Sequence, residues 1–152
     1  MKELKITPIK EGTVIDHITA GSAVKVLHIL KIPEEHTQSV VSVVINVPSK
    51  ITGRKDIVKI ENRELDPKEL NKIALIAPKA TINIIRDFEV VKKSKVMLPR
   101  EVVGIIKCPN PTCISNAKEP IESRFTLISD DPPRIRCYYC EREPEDVISH
   151  II

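Results

Sequence analysis

Apolar and polar positions divide the first two thirds of the chain into short elements of alternating type. Residues 13–18 (TVIDHI) have strand character. Residues 23–30 (AVKVLHIL) follow a Gly-Ser start and carry Val26, Leu27 and Leu30 at helical spacing. Residues 39–47 (SVVSVVINV) are rich in β-branched side chains and run out at Pro48, and residues 56–61 (DIVKIE) follow a connection that can make a hairpin with them. Asp66 is placed to cap a helix, with Pro67 at its first position and Leu70, Ile73, Ala74 and Ala77 recurring on one face up to Pro78. Residues 81–85 and 88–91 read as a last pair of strands. The order strand, helix, strand, strand, helix, strand predicts an α+β fold, a ferredoxin-like split βαβ sandwich whose sheet carries two helices on one face.

Beyond Pro99 and Arg100 the pattern changes to short strand-like runs, 101–107, 123–129, 134–139 and 147–152, separated by Pro-rich turns. This predicts a small all-β unit, and hence a division into residues 1–98 and 99–152. All four cysteines fall in the second unit, as Cys108 and Cys113 (C-x4-C), then twenty-three residues, then Cys137 and Cys140 (C-x2-C). Two thiolate pairs at such spacings, each in a turn, suit one tetrahedral zinc ion. Four thiolates close the coordination shell, and no H-x-E companion is present, so the zinc is expected to be structural rather than catalytic. About fifty residues bury too little apolar surface to fold alone, whereas structural zinc supplies roughly 10–16 kcal/mol of apparent binding energy. The N-terminus lacks the apolar core of a secretory signal and no run is long enough to cross a bilayer, so a cytoplasmic setting with reduced thiols is expected.

The net charge of +3 is unevenly distributed: residues 100–152 hold seven Lys/Arg against nine Asp/Glu, so the excess of base lies in residues 1–99. A slightly acidic zinc unit and 3% aromatic residues argue against nucleic acid as the partner. With four glycines and no P-loop or dinucleotide fingerprint, any nucleotide has to be held by side chains. Strand alternation puts Lys55, Ile57 and Lys59 on one face, a surface suited to a base and a phosphate. Asp16 and His17 form a polar pair within an apolar strand, where consecutive residues are expected on opposite faces. Lys92, Lys93 and Lys95 follow the last strand, where they can close over an anion.

Taken together, GTVIDHI (12–18), TGRKDIVKIEN (52–62), LIAPKATINII (75–85), FEVVKKS (88–94), CPNPTCI and CYYCE resemble the aspartate carbamoyltransferase regulatory chain family, in order and over nearly the whole length. The resemblance implies a non-catalytic subunit in pyrimidine biosynthesis. Its N-terminal allosteric domain would bind CTP, ATP or UTP, and its zinc domain would contact the catalytic chain, so that regulatory dimers link catalytic trimers. By position it implies that Asp16 and Lys59 serve the ribose side and His17 and Lys93 the phosphates. Ile9, Ile57, Asn83, Ile85, Phe88 and Val90 would line the pocket, with Lys55 nearby. Phe88 stands where the family commonly has tyrosine.

Overall fold

The computed structural model describes residues 9–32, 38–51, 53–117, 121–130 and 132–152, so residues 1–8 of the expected first unit lie outside the described residues. Its elements are β1 (Gly12–Thr19), α1 (Ala23–Ile29), β2 (Val41–Ser49), β3 (Gly53–Glu61), α2 (Pro67–Ile76), β4 (Thr81–Arg86), β5 (Glu89–Lys95), β6 (Glu101–Val103), β7 (Arg124–Asp130) and β8 (Pro133–Cys137). Short 3-10 turns occupy Ile114–Asn116 and Ile148–His150.

The first five strands form one sheet in the order β2-β3-β1-β4-β5, and every pairing is antiparallel. Each helix connects two strands that have a third between them, which is the expected double split βαβ arrangement with β5 added at one edge. Alternation sends Ile15, Ile18, Val58, Ile60 and Ile82 to one face, where they meet Ala23, Val26 and Leu30 of the first helical segment and Ile73, Ala74 and Ala77 of the second. The chain enters β1 through Gly12 at φ 146, where a Cβ would lie 2.1 Å from the carbonyl oxygen of Ile60, so no other residue fits without moving β3.

The expected cap of α2 is present. Asp66 accepts from the Glu69 backbone N–H at 2.8 Å, and Glu69 accepts in return from the Asp66 N–H at 3.2 Å, with Pro67 starting the helix. Glu69 also pairs with Arg63 at 2.6 Å, and Arg63 donates to the carbonyl of Leu30 at the end of α1, so the cap ties both helices together. Asp66→Ala is expected to lower unfolding stability by about 1 kcal/mol, measured by urea denaturation.

Asp56 points into the same core and is fully buried. Its Oδ2 accepts from the N–H groups of Gly21 and Ala23 at 2.9 and 3.0 Å, and its Oδ1 from Asn46 at 2.8 Å. One carboxyl group thus fastens the start of α1 and an irregularity of β2, where Asn46 has φ 59, to β3.

The second sheet, β6-β7-β8, is also antiparallel and packs Val102, Ile105, Ile106, Phe125 and Ile135 around Cys108, Cys113 and Cys137. The expected last strand over 147–152 is instead a 3-10 turn followed by one bridge, Ile106 to Ile151, because this segment turns to pack between the sheets rather than extending either. Ile148 and Ile151 reach the core of the first sheet, Leu75 of α2 joins the core of the second, and Lys72 donates to the Ile152 carbonyl at 2.5 Å. The two cores therefore interlock through α2 and the C-terminal segment.

Candidate functional site

The face of the five-stranded sheet turned away from the helices carries the polar residues singled out above. Antiparallel register sets Ser42, Lys59, Val14, Asn83 and Lys93 side by side across all five strands. A second row places Ile57, Asp16 and Thr81 beside Lys95, and a third holds Gly12, Ile85 and Val90. Ile9, just before β1, is buried, and Ile85 is nearly so. Lys92 faces the other way: an irregularity between Ile84 and Ile85 leaves Val91 unpaired, and Lys92 lies opposite Ile84 over a cleft with Leu65 and Leu70. The three lysines of β5 are thus split, and only Lys93 and Lys95 share the face with Lys59.

Asp16 and His17 share that face as well, which simple alternation does not allow. Between Ile15 and Ile18 the pairing of β1 with β3 slips by one residue, and His17 takes φ 56. This β-bulge inserts one extra residue, so both polar side chains leave the core while Ile18 returns to it. The His17 backbone N–H donates to Asp16 Oδ1 at 2.6 Å, Lys55 Nζ reaches the same oxygen at 2.9 Å, and His17 Nδ1 lies 3.2 Å from the Thr81 hydroxyl. Burial pushes the Asp16 carboxyl up, but the hydrogen bonds from Lys55 and the His17 N–H, with the nearby charge, outweigh it and hold the group below its ordinary value. Asp16 is therefore an anion already partnered by Lys55. Lys59, Lys93 and Lys95 make no ion pair among the described residues, and they leave this face with uncompensated positive charge.

At the other end of β4 the connection to β5 is two residues long, with Asp87 at φ 50 and Phe88 at φ 66, the signs a type I′ hairpin turn requires. A bulky residue is strained there, and the ring is 64% exposed, so burial of Phe88 does not compensate for that strain. Strain of this kind clusters at ligand sites. Sequence reasoning passed over Thr81 and Asp56: their roles depend on cross-strand neighbours, and nothing adjacent in sequence marks them.

In the second unit the four cysteine sulfurs lie within 4.8 Å of one another, with Cys108 to Cys140 and Cys113 to Cys137 both at 3.6 Å. Disulfide sulfurs are about 2.05 Å apart, so these are free thiols. Four sulfurs about 2.3 Å from one zinc ion would stand about 3.8 Å apart in a tetrahedron, so the cluster can hold such an ion with little adjustment. Its two turns are pre-shaped. Asn116 donates to the carbonyls of Cys108 and Asn110 at 2.9 and 2.7 Å, the Cys113 N–H donates to the Asn110 carbonyl, and Glu141 at φ 62 closes the second turn with its N–H on the Cys137 carbonyl. Burial pushes the Cys108 thiol up to about 12. Burial also acts on Cys140, but hydrogen bonds from the Arg142 backbone and the Asn110 side chain pull it down to about 7. Loading a divalent ion therefore has to expel protons from the buried thiols.

A face of uncompensated lysines on a split βαβ sheet, joined to a four-cysteine knuckle with a closed ligand set, defines a binding subunit with a structural metal unit. Comparison with known proteins agrees. Residues 4–97 match the aspartate carbamoyltransferase regulatory chain, allosteric domain, and residues 100–148 match its metal binding domain. The aspartate carbamoyltransferase regulatory chain of Methanothermobacter thermautotrophicus is 58% identical over 140 residues, covering 92% of this chain and 88% of its own. That of Korarchaeum cryptofilum is 55% identical over 99% of this chain and 97% of its own, and that of Pyrococcus abyssi 52% over 99% and 100%. The chain belongs to the aspartate carbamoyltransferase regulatory chain family, and is thus of the non-catalytic kind. Among the described residues no helix is long and apolar enough to cross a membrane.

Proposed function

We propose that the helix-free face of the five-stranded sheet binds nucleoside triphosphates, CTP, ATP or UTP, as allosteric effectors of an aspartate carbamoyltransferase. In this reading the chain divides into a nucleotide-binding unit, residues 1–98, and a zinc unit, residues 99–152. Cys108, Cys113, Cys137 and Cys140 hold one zinc, and the fold around it docks on the catalytic chain. Pairing of two copies through the first unit then links catalytic trimers. The observation that carries the nucleotide assignment is the bulge at Asp16 and His17, which sets both beside the row of Lys59, Asn83 and Lys93.

The roles follow the layout. Phe88, Val90, Ile85 and Ile9 lie at the end of the sheet where β1 begins and suit an apolar base. Lys59 and Asp16 stand farther along for the ribose, with Ile57 beneath and Lys55 fixing the Asp16 carboxylate. Lys93 and His17 take the phosphates. A nucleotide alters activity only if it binds two states of the assembly unequally, so the chain has to remain attached to the catalytic partner while it binds effector. Lys59→Ala is expected to weaken CTP binding about tenfold, the equivalent of one charge-assisted hydrogen bond, with zinc content and attachment to the catalytic chain unchanged. Calorimetry and sedimentation measure these effects. Unchanged CTP affinity, or dissociation of the complex, would refute the assignment.

A further inference from the structure

Four thiolates around one divalent ion leave negative charge in excess, and burying it is costly unless hydrogen-bond donors face the sulfurs. The backbone provides some of these donors. The Asn110 N–H points at Cys108, those of Tyr139 and Cys140 at Cys137, and that of Arg142 at Cys140. Such bonds follow from the shape of the two turns, whatever side chains the turns carry. Two others depend on side chains. The Ser115 hydroxyl lies 3.2 Å from Cys113 Sγ, carried there by the 3-10 turn that starts after Cys113. The Asn110 side chain donates to Cys140, in the opposite turn.

Asn110 is nearly buried and its amide is locked in one orientation. Its Oδ1 accepts from the Thr112 N–H at 3.2 Å and from the Thr112 hydroxyl at 2.9 Å, which commits the oxygen to that side and leaves the amide N–H₂ to face the sulfur. Its carbonyl accepts from the Cys113 N–H at 3.1 Å and from Asn116 at 2.7 Å. A residue between the first two cysteines thus holds a sulfur of the second pair.

We infer that Asn110 and Ser115 are positioning residues of the metal site, which hold Cys140 and Cys113 as ligands through hydrogen bonds to their sulfurs and so set how tightly the chain keeps its zinc. The inference rests on the zinc reading of the cysteine cluster and adds to it two residues that act on the metal through its ligands. A thiolate that loses such a bond also becomes richer in electrons, so the sulfur-to-metal charge transfer of a cobalt(II)-loaded site moves to longer wavelength. A side chain that only props up the turn lacks that signature.

The test compares the full wild-type chain with Ser115→Ala, Asn110→Ala, Ser115→Thr and Thr112→Val. Zinc affinity, measured by competition with a chromophoric chelator, is expected to fall about tenfold for each alanine variant, together with the shift of the cobalt charge-transfer band. Ser115→Thr keeps the hydroxyl and should stay within about twofold of wild type in affinity, with an unmoved band. Thr112 is exposed, and Thr112→Val removes one of the two bonds that orient the Asn110 amide, so a loss of about threefold is expected without harm to the fold. Wild-type affinity in both Ser115→Ala and Thr112→Val, or losses with no change in the cobalt spectrum, would overturn the inference while leaving the zinc assignment standing. A wild-type chain that takes up neither metal would overturn both.

Discussion

Replacing Cys113 with alanine is expected to abolish zinc binding and unfold the C-terminal unit, the largest single effect anticipated for this chain. Cys113 is buried between Cys137 and the core residues of β6, β7 and β8, and its sulfur faces the Ser115 hydroxyl at 3.2 Å. The unit's core contains one aromatic side chain, Phe125, and a few Ile and Val residues. Apolar burial on that scale falls short of the conformational entropy of about fifty residues, so roughly 10–16 kcal/mol of metal binding is what makes it fold. The loss should spread. Ile148 and Ile151 pack on the first core and depend on the second sheet for their position, so the five-stranded unit should also melt at a lower temperature. Metal analysis is expected to fall from one zinc per chain to none, and limited proteolysis to cut within residues 99–152. Because proton release accompanies loading, acidification of the wild type should reproduce the same release of zinc. A folded, protease-resistant Cys113→Ala chain would sink the structural-zinc assignment.

Asp56→Ala is expected to be the most damaging change outside the cysteine cluster, at roughly 2–3 kcal/mol. The substitution deletes a fully buried acceptor and takes the partner from three backbone donors, those of Gly21, Ala23 and Asn46, of which the Ala23 N–H is buried. Asn46 sits at positive φ and relies on that bond to hold the irregularity of β2. Asp56→Asn keeps one acceptor oxygen but points an amide N–H₂ at a donor, so it should recover only part of the loss. Urea denaturation of the zinc-loaded chain measures both. A loss below about 1 kcal/mol for Asp56→Ala would show that the three donors find other partners.

Most of the architecture is readable in local pattern because its signals are local. Asp66 and Pro67 announce α2 through a cap completed within one turn, and the cysteine pairs announce their cluster because each pair closes within a single knuckle. What the pattern misses is set by pairing between distant strands. Asp16 and His17 look like residues of opposite faces, and only the one-residue slip against β3 brings them together. The lysines of β5 look like one group as long as the strand is read to stop at Val91; because it runs on to Lys95, alternation sends Lys92 to the far side from Lys93 and Lys95. Residues 147–152 have the composition of a strand, but Ile148 and Ile151 pack into the cores instead of extending a sheet edge, so the segment forms a turn and a single bridge. In each case the competing influence is tertiary and overrides propensity.

The bulge in β1 also separates two kinds of information in the gene. Composition decides that Ile15 and Ile18 face the core, but chain length decides what lies between them. Loss of the single codon for His17 would let Asp16 and Ile18 follow regular alternation, close the ladder between β1 and β3, and leave the apolar residues on their side of the sheet. Such a deletion keeps Ile15 and Ile18 on the core side and removes the histidine that meets the Thr81 hydroxyl. If the proposed nucleotide site is correct, its polar pair could thus be gained or lost in one step of insertion or deletion, at a position where substitutions alone would have to work against the fold.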